Sequence, residues 1–338
     1  MIREAIQALV SGRSLTMPEA ASVMEEIMEG KVTPAQFGAF VTALRLKGES
    51  VEEIVGLASV MRARAIRVMV ADPVIDVVGT GGDSFNTFNI STAAAFVVAG
   101  AGLKVAKHGN RAMSSKCGSA DVLEALGVKL ELTPEQVQRC LEEVGIGFMF
   151  APAFHPAMKY AVAPRREIGI RTVFNILGPL TNPAGAGAYL LGVADESLVE
   201  RMALVLQSLN CQHAMVVHGE DGLDEITLTG KTKVCELIKG QISSYAISPE
   251  DFGLSQTSSL ESLKGGTVGE NANLLRSILS GDQGPQRDVV LMNAAAALVA
   301  GDKAQSLKQG IDLARDAVDG GQALAKLEQL IKISHSFT

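Results

Sequence analysis

The spacing of apolar positions changes character along the chain, and each change marks a new kind of structure. Over the first 70 residues apolar side chains recur at helical intervals, as at Phe37, Phe40, Val41 and Leu44, which share one face of a helix. Three of these runs open on a capping signature, in which Ser or Thr is followed three residues later by Glu or Gln: Thr16-Met17-Pro18-Glu19, Thr33-Pro34-Ala35-Gln36 and Ser50-Val51-Glu52-Glu53. Gly30 and Gly48 stop the first two. The pattern predicts a small all-α domain over residues 1–70, structural or dimerising in role.

From Val74 short β-branched runs alternate with helical stretches. Strands are expected near 74–78, 103–106, 128–131 and 146–150, with helices between them, one beginning at about Ala93 and another capped by Thr133-Pro134-Glu135-Gln136. Alternation with short connections implies a mostly parallel sheet covered by helices on both faces. Pro152, Pro156, Pro164, Pro179 and Pro183 interrupt the pattern, and this passage reads as the chain crossing back to the helical domain and returning. A strand over 188–193, a helix to Leu209 and a strand over 213–218 follow. Residues 225–247 read as antiparallel strands, and helices dominate from Gly269, the stretch 289–300 being apolar enough to pack on the sheet. The expected fold class is therefore α/β, with a small N-terminal all-α domain (1–70) and a larger α/β domain (71–151 and 188–338) joined through a crossover at about 152–187.

Composition narrows the function. A chain of 338 residues with 47% apolar side chains has material for two cores. The net charge of −7 argues against a nucleic-acid or an anionic membrane surface as partner. Cys117, Cys140, Cys211 and Cys235 form no C-x-x-C pair and read as free thiols of a reducing compartment. The opening Met1-Ile2-Arg3-Glu4 lacks the plan of a signal peptide, and the longest apolar runs fall short of a membrane span. The expected location is cytoplasmic.

The chemistry gathers between Val74 and Ser119. The first strand empties into Gly79-Thr80-Gly81-Gly82-Asp83, where backbone N–H groups can approach an anion with no Cβ in the way. Ser91 and Thr92 are natural N-cap types before the Ala-rich helix, and a helix N-terminus attracts phosphate. The next strand leads to Lys107-His108-Gly109-Asn110-Arg111, adding two cations, with Ser114, Ser115 and Ser119 as small donors. The dinucleotide fingerprint fails here, because Ser84 holds the third glycine position and Lys107 stands where the ribose-binding acid belongs. No Walker loop occurs. An anion cradle for a phosphorylated small molecule remains, against the plainer reading of a turn. Asp224 and Glu225, in the run 219–225 at the end of the strand over 213–218, suit Mg²⁺ beside substrate phosphates, or else form a solvated acidic turn. Arg165-Arg166 and Arg171, in the crossover, offer a fork for a carboxylate, or else a solvated helix face.

GTGGD (79–83), Asn89-Ile90-Ser91-Thr92, KHGNR (107–111), RTVFNILGPLTNP (171–183) and DGLDEI (221–226) occur together and in order. In these motifs the chain resembles the anthranilate phosphoribosyltransferases over essentially its whole length. The resemblance implies the fold shared with pyrimidine nucleoside phosphorylases, an active site in the cleft between two domains, and a homodimer joined through the helical domain. It implies a phosphoribosyl pyrophosphate site of Gly79, Gly82, Asp83, Thr87, Asn89, Ile90, Ser91, Thr92, Lys107, His108, Gly109, Asn110, Arg111, Ala112, Met113, Ser114, Ser115 and Ser119. Gly79, Asn110 and Arg165 match the anthranilate site, and Ser91, Asp224 and Glu225 match Mg²⁺ ligands. Ile168, where the family often has Leu, is the one local departure. The implied reaction moves the 5-phosphoribosyl group to the amine of anthranilate with release of pyrophosphate, in tryptophan biosynthesis. Catalysis is then electrostatic, through the metal and Lys107, with no single acid or base. Two alternatives stand beside it: a pyrimidine nucleoside phosphorylase, and a silent relative that binds nucleic acid, which would be expected to lose Asp224 and Glu225.

Overall fold

The fold was taken from a computed structural model that describes every residue except Ser84, Met113, Ser114, Ser115, Ser258 and Thr338. The chain opens with four helices, α1 (Ile2–Val10), α2 (Met17–Met28), α3 (Pro34–Lys47) and α4 (Val51–Arg64). Full capping boxes form at Thr16, Thr33 and Ser50, each hydroxyl accepting from the third helical N–H and each Glu or Gln reaching back. Gly30 and Gly48 sit just beyond α2 and α3 with φ of 70° and 87°. Ile2, Met24, Phe40, Leu44 and Leu57 are buried among the four helices. Glu53 is buried too: its carboxylate takes the Lys47 ammonium (2.9 Å) and the N–H groups of Leu15 (2.8 Å) and Ser50 (2.7 Å).

The larger part is a seven-stranded sheet in the order β3-β2-β1-β4-β5-β6-β7. Its strands are β1 (Ile75–Gly79), β2 (Val105–Gly109), β3 (Ile146–Phe150), β4 (Ala188–Gly192), β5 (His213–Gly219), β6 (Thr232–Ile238) and β7 (Gln241–Ile247). The first five are parallel, and β6 and β7 add an antiparallel edge. The helices between them are α5 (Ile90–Gly100), α6 (Ser119–Ala125), α7 (Pro134–Glu143) and α11 (Leu198–Ser208). The crossover carries the short helix α8 (Ala151–Phe154), then α9 (Lys159–Ile168) and α10 (Phe174–Leu177). The chain ends in α12 (Val268–Leu279), α13 (Pro285–Ala300), α14 (Leu307–Asp319) and α15 (Gln322–Ser334). Helix α5 is buried almost all round because its alanines let α13 and α15 pack closely over it. Helix α9 packs against α2 and α3, and α10 against α4.

Three expectations need correction. Residues 128–131 form no strand. Val128, Leu130 and Leu132 are buried at every second position, as in a strand, but the segment is covered by α15, and the Lys129 N–H goes to the Ser334 hydroxyl (3.1 Å) rather than to a ladder. Helix α5 starts at Ile90, before Ala93, with Asn89 as a cap residue whose side chain makes no capping bond, so Ser91 and Thr92 lie inside the first turn. Of residues 225–247 only 232–247 pair as a hairpin, and the stretch before it is folded by Asp221, which accepts from the hydroxyls of Thr227 and Thr229.

The order 3-2-1-4-5 reverses direction between β1 and β4, and a parallel sheet opens a crevice at the carboxyl ends of two such strands. Here Gly79 and Gly192 end them side by side, in register.

The helical domain yields a direct test. Truncating Glu53 strands a buried ammonium and two N–H groups, so Glu53→Ala should cost about 3 kcal/mol in urea denaturation. The exposed cap change Thr33→Ala should cost only about 1 kcal/mol. Equal costs would contradict a buried ionic role for Glu53.

Candidate active site

The crevice between β1 and β4 is filled by the loop that follows β5. A Cβ at Gly79 would stand 2.5 Å from Asp224 Oδ2, and one at Gly192 would overlap the Asp224 carbonyl. Glycine at both strand ends is what admits Asp224. The loop is braced from behind by Asn293 of α13, whose amide accepts from the Ile226 N–H (3.0 Å) and donates to the Ile226 carbonyl (3.0 Å). Gly81 and Gly82 have φ of 65° and 82°, turning the backbone so that the Gly81 N–H meets Asp224 Oδ2 at 2.6 Å. Glu225 lies near the Ser91 N–H at the start of α5, which acts weakly to lower its pKa, and among the described residues no side chain makes a capping bond to that helix. The Thr92 hydroxyl beside it is buried with no partner.

Lys107, on β2, is buried under this loop, and its ammonium donates to the Val77 carbonyl (2.6 Å) and the Ser91 hydroxyl (3.4 Å). Burial lowers its pKa, while Asp76 and Glu225 act to raise it. Asp76 is buried in mid-strand, where it takes the Asn182 amide (2.7 Å) and the His108 N–H (3.3 Å). Desolvation lifts its carboxyl to about 6 against the pull of Lys107. Asp224 is pushed to about 6, first by desolvation and then by the charge of Asp83. Desolvation and the neighbouring Asp224 drive Glu225 well above the usual carboxylate range. Three acids thus crowd one crevice with one buried ammonium among them.

Lys107, Asp224 and Glu225 line a cavity of about 540 Å³ that continues into the crossover. Gly79, Gly82, Asp83, Thr87, Asn89, Ile90, Ser91, Thr92, Lys107, His108, Gly109, Asn110, Arg111, Ala112, Ser119, Arg165, Asp224 and Glu225 all border it. Met113, Ser114 and Ser115 lie outside the described residues. The Arg111 guanidinium is engaged by Glu124 (2.7 and 3.0 Å) and Asp121 (3.1 Å). Arg171 extends over Gly82, where a Cβ would collide with its guanidinium.

At the far end Arg165 lies over the Phe174 ring, 5.5 Å from its centroid, and Phe174 stacks on Phe37 of α3 at 5.3 Å. Burial lowers the Arg165 pKa, and among the described residues no carboxylate pairs with it. His108 and His155 face each other with centroids 5.2 Å apart. Burial keeps both neutral, at about 3 and about 4, and His108 Nε2 and both ring nitrogens of His155 have no protein partner. Sequence reasoning missed His155, Asp76, Asn182 and Asn293. Each works through contacts distant in sequence, and only the burial of Asp76 in an apolar strand carried a local signal.

Among the described residues no three His, Cys, Asp or Glu side chains are arranged to hold a metal unaided, and no helix is long and apolar enough to cross a membrane. Two carboxylates and a serine hydroxyl suit a cation that takes most of its oxygens from a phosphorylated ligand.

A helical bundle and a mostly parallel α/β sheet share one cavity lined by a glycine loop, a helix N-terminus, two acids and several cations, the plan of a glycosyl transferase. Residues 3–65 match the model of the glycosyl transferase family helical bundle domain, and residues 71–324 that of its a/b domain. The chain is 60% identical to an anthranilate phosphoribosyltransferase of Dehalococcoides mccartyi, over 99% of each chain. It is 59% identical to that of Chloroflexus aurantiacus, over 98% of each. Among solved structures, the Thermus thermophilus anthranilate phosphoribosyltransferase superposes with a TM-score of 0.93 at 46% identity, covering 98% of this chain and 99% of that one. The Saccharomyces cerevisiae enzyme, in complex with PRPP and Mg, gives 0.91 at 29% identity, over 99% and 98%. Within the glycosyl transferase family, the chain belongs to the anthranilate phosphoribosyltransferases.

The crowded acids give a test in the ligand-free protein. A carboxyl whose folded pKa lies above its unfolded one destabilises the fold as pH rises from about 4 to about 6, and the cost is fully present at pH 7. Asp224→Asn removes that cost. It should raise stability at pH 7 by about 1–3 kcal/mol, with the gain vanishing by about pH 4, while turnover falls. A variant less stable than wild type at pH 7 would contradict the strain assigned to this crevice.

Proposed function

We propose that the cavity transfers the 5-phosphoribosyl group of phosphoribosyl pyrophosphate to the amine of anthranilate, releasing pyrophosphate, the phosphoribosyl transfer of tryptophan biosynthesis. The observation that carries this reading is the pairing, in one cavity, of an anion cradle at the strand ends with Arg165 at the crossover end, which meets no carboxylate among the described residues. The cradle suits the donor and Arg165 the acceptor carboxylate. The identity to the Dehalococcoides and Chloroflexus enzymes supports the same reading.

The donor lies along Gly79, Gly82, Asp83, Thr87, Asn89 to Thr92 and the turn after Lys107, with its pyrophosphate against the loop and the start of α5. Asp224, Glu225 and Ser91 would hold Mg²⁺, which when bound supplies the positive charge that a pyrophosphate leaving group requires. That a yeast relative is solved in complex with PRPP and Mg supports the use of Mg²⁺ with this donor. Lys107 contributes a fixed charge from beneath. Asn110 and Arg165 orient anthranilate so that its nitrogen faces C1′ of the ribose. The aryl amine is already neutral at pH 7, so no side chain has to prepare it. The C1′–N bond forms as the C1′–O bond to pyrophosphate breaks, and the amine then sheds one proton. The chain's own contribution is orientation and a fixed electrostatic field.

Two further parts of the reading concern the protein in the cell. The helical domain is the surface for a second copy of the chain, a reading supported by Val10 and Leu46, which are 74% and 82% exposed. The cytoplasm is its compartment, supported by four cysteines that form no disulfide.

The test is a fluorescence assay that follows loss of anthranilate with phosphoribosyl pyrophosphate, with Mg²⁺ and again with EDTA. The expected result is turnover with Mg²⁺ and none with EDTA. Arg165→Ala should raise the KM for anthranilate by about tenfold or more and leave that for the donor nearly unchanged. No turnover from folded wild type, or equal effects of Arg165→Ala on both KM values, would overturn the reading.

A further inference from the structure

The acceptor end of the cavity has one wall that belongs to no regular element for long. Gly178, Pro179 and Thr181 form it, in the turn that follows α10. Its internal bonds all converge on a single carbonyl: Gly178 O accepts the Thr181 N–H (3.2 Å) and hydroxyl (3.0 Å), and His108 Nδ1 stands 3.2 Å away. Such a turn must be fixed from outside. The sheet fixes it from one side, where the Asn182 amide donates to Asp76 Oδ2 (2.7 Å) and to the Ala106 carbonyl (2.8 Å).

The other side is fixed by Arg62. This residue lies in the last turn of α4, next to Met61, which itself lines the cavity. Its Nε donates to the Leu180 carbonyl at 2.6 Å, and its Nη1 to the carbonyl of Leu209 at 3.1 Å. Leu209 is the cap residue that ends α11. One planar guanidinium therefore ties the last helix of the helical domain to the cavity turn and to the C-terminus of a helix on the sheet. A cation at a helix C-terminus is favoured by the dipole, and a rigid fork of donors holds two acceptors with little loss of freedom. Backbone bonds nearby, Ile66 N–H to Phe154 O (2.9 Å) and Val68 N–H to Pro183 O (3.1 Å), seat the linker on the same region but do not touch the turn carbonyls.

We propose that Arg62 is a positioning residue for the acceptor: it sets the distance between the Gly178–Thr181 wall and the helical domain, and so the slot that orients a flat aromatic amine. This rests on the reading of the cavity given under the proposed function. Arg62 touches no reacting atom. Its effect falls mainly on the acceptor, because its hydrogen bonds go to the turn and to the end of α11, and the turn meets the donor side only at second hand, through the His108 ring and the Asn182–Asp76 bond.

The experiment compares Arg62→Met, Arg62→Lys and, as control, Arg64→Ala, whose guanidinium pairs with Glu25 and Glu29 on the exposed side of the same helix. Steady-state kinetics with both substrates varied are combined with hydrogen exchange of a peptide spanning 174–186. Arg62→Met should raise the KM for anthranilate about tenfold and change that for phosphoribosyl pyrophosphate less than about twofold. Arg62→Lys should fall between, since an ammonium can meet one carbonyl but not both in a fixed plane. Exchange in the 174–186 peptide should accelerate in Arg62→Met and stay at the wild-type rate in Arg64→Ala. A parallel rise of both KM values, or unchanged exchange, would overturn the proposal. Wild type that turns over no anthranilate would overturn the proposed function instead, and the exchange rates would still decide whether Arg62 holds the turn.

Discussion

Two carboxylates that cannot comfortably be charged together are held at the ends of β1 and β4, and most of the site follows from that constraint. Asp224 fits only because Gly79 and Gly192 leave no Cβ in its way. Glu225 lies beside it near the first turn of α5, and Lys107 sets a buried ammonium among these acids. In water such groups would be fully solvated and would attract little. Here desolvation raises their proton affinity and makes the crevice demand positive charge. A phosphate alone would be repelled from it, whereas a phosphate that arrives with a divalent cation satisfies both the acids and the helix N-terminus.

The remaining architecture keeps this crevice in shape and adds a second binding end. The register that sets Gly79 beside Gly192 comes from the strand pairing itself. Asn293 holds the acidic loop from behind, Asp76 and Asn182 hold the turn at 178–182, and Arg62 reaches that turn from the helical domain. All four are buried or half-buried polar groups bonded across elements far apart in sequence. Such networks fix one geometry when every member has its partner. The acceptor end is lined by Arg165, Phe174 and the neutral His108 and His155, so it offers an aromatic slot with a cation that meets no carboxylate among the described residues, and with orphaned ring nitrogens.

What the sequence made legible was local. The capping boxes at Thr16, Thr33, Ser50 and Thr133 were readable because cap and partner are three residues apart, and all four form. The glycine loop, the acidic pair and Arg165 could be named from residue type, and the structure brings them to one cavity. Alternating burial misled at 128–132, since an extended segment beneath a helix buries every second side chain as a strand does. The start of α5 was misplaced by its cap-type residues: the cap position is Asn89, whose amide donates to the Cys117 carbonyl rather than capping the helix. His155, Asn182, Asn293 and Arg62 carry no short-range pattern that separates them from ordinary polar residues, Asp76 stands out only as an acid within an apolar strand, and the tertiary fold alone shows what they hold.

A crevice that demands positive charge should hold its phosphorylated ligand tightly only together with a divalent cation. Calorimetric titration of phosphoribosyl pyrophosphate into the protein, with Mg²⁺ and then with EDTA, tests this most directly. The account predicts binding at least about tenfold weaker in EDTA, a difference of about 1.4 kcal/mol, and the loss of that difference in Asp224→Asn. Equal affinity with and without Mg²⁺ in the wild-type protein would contradict it.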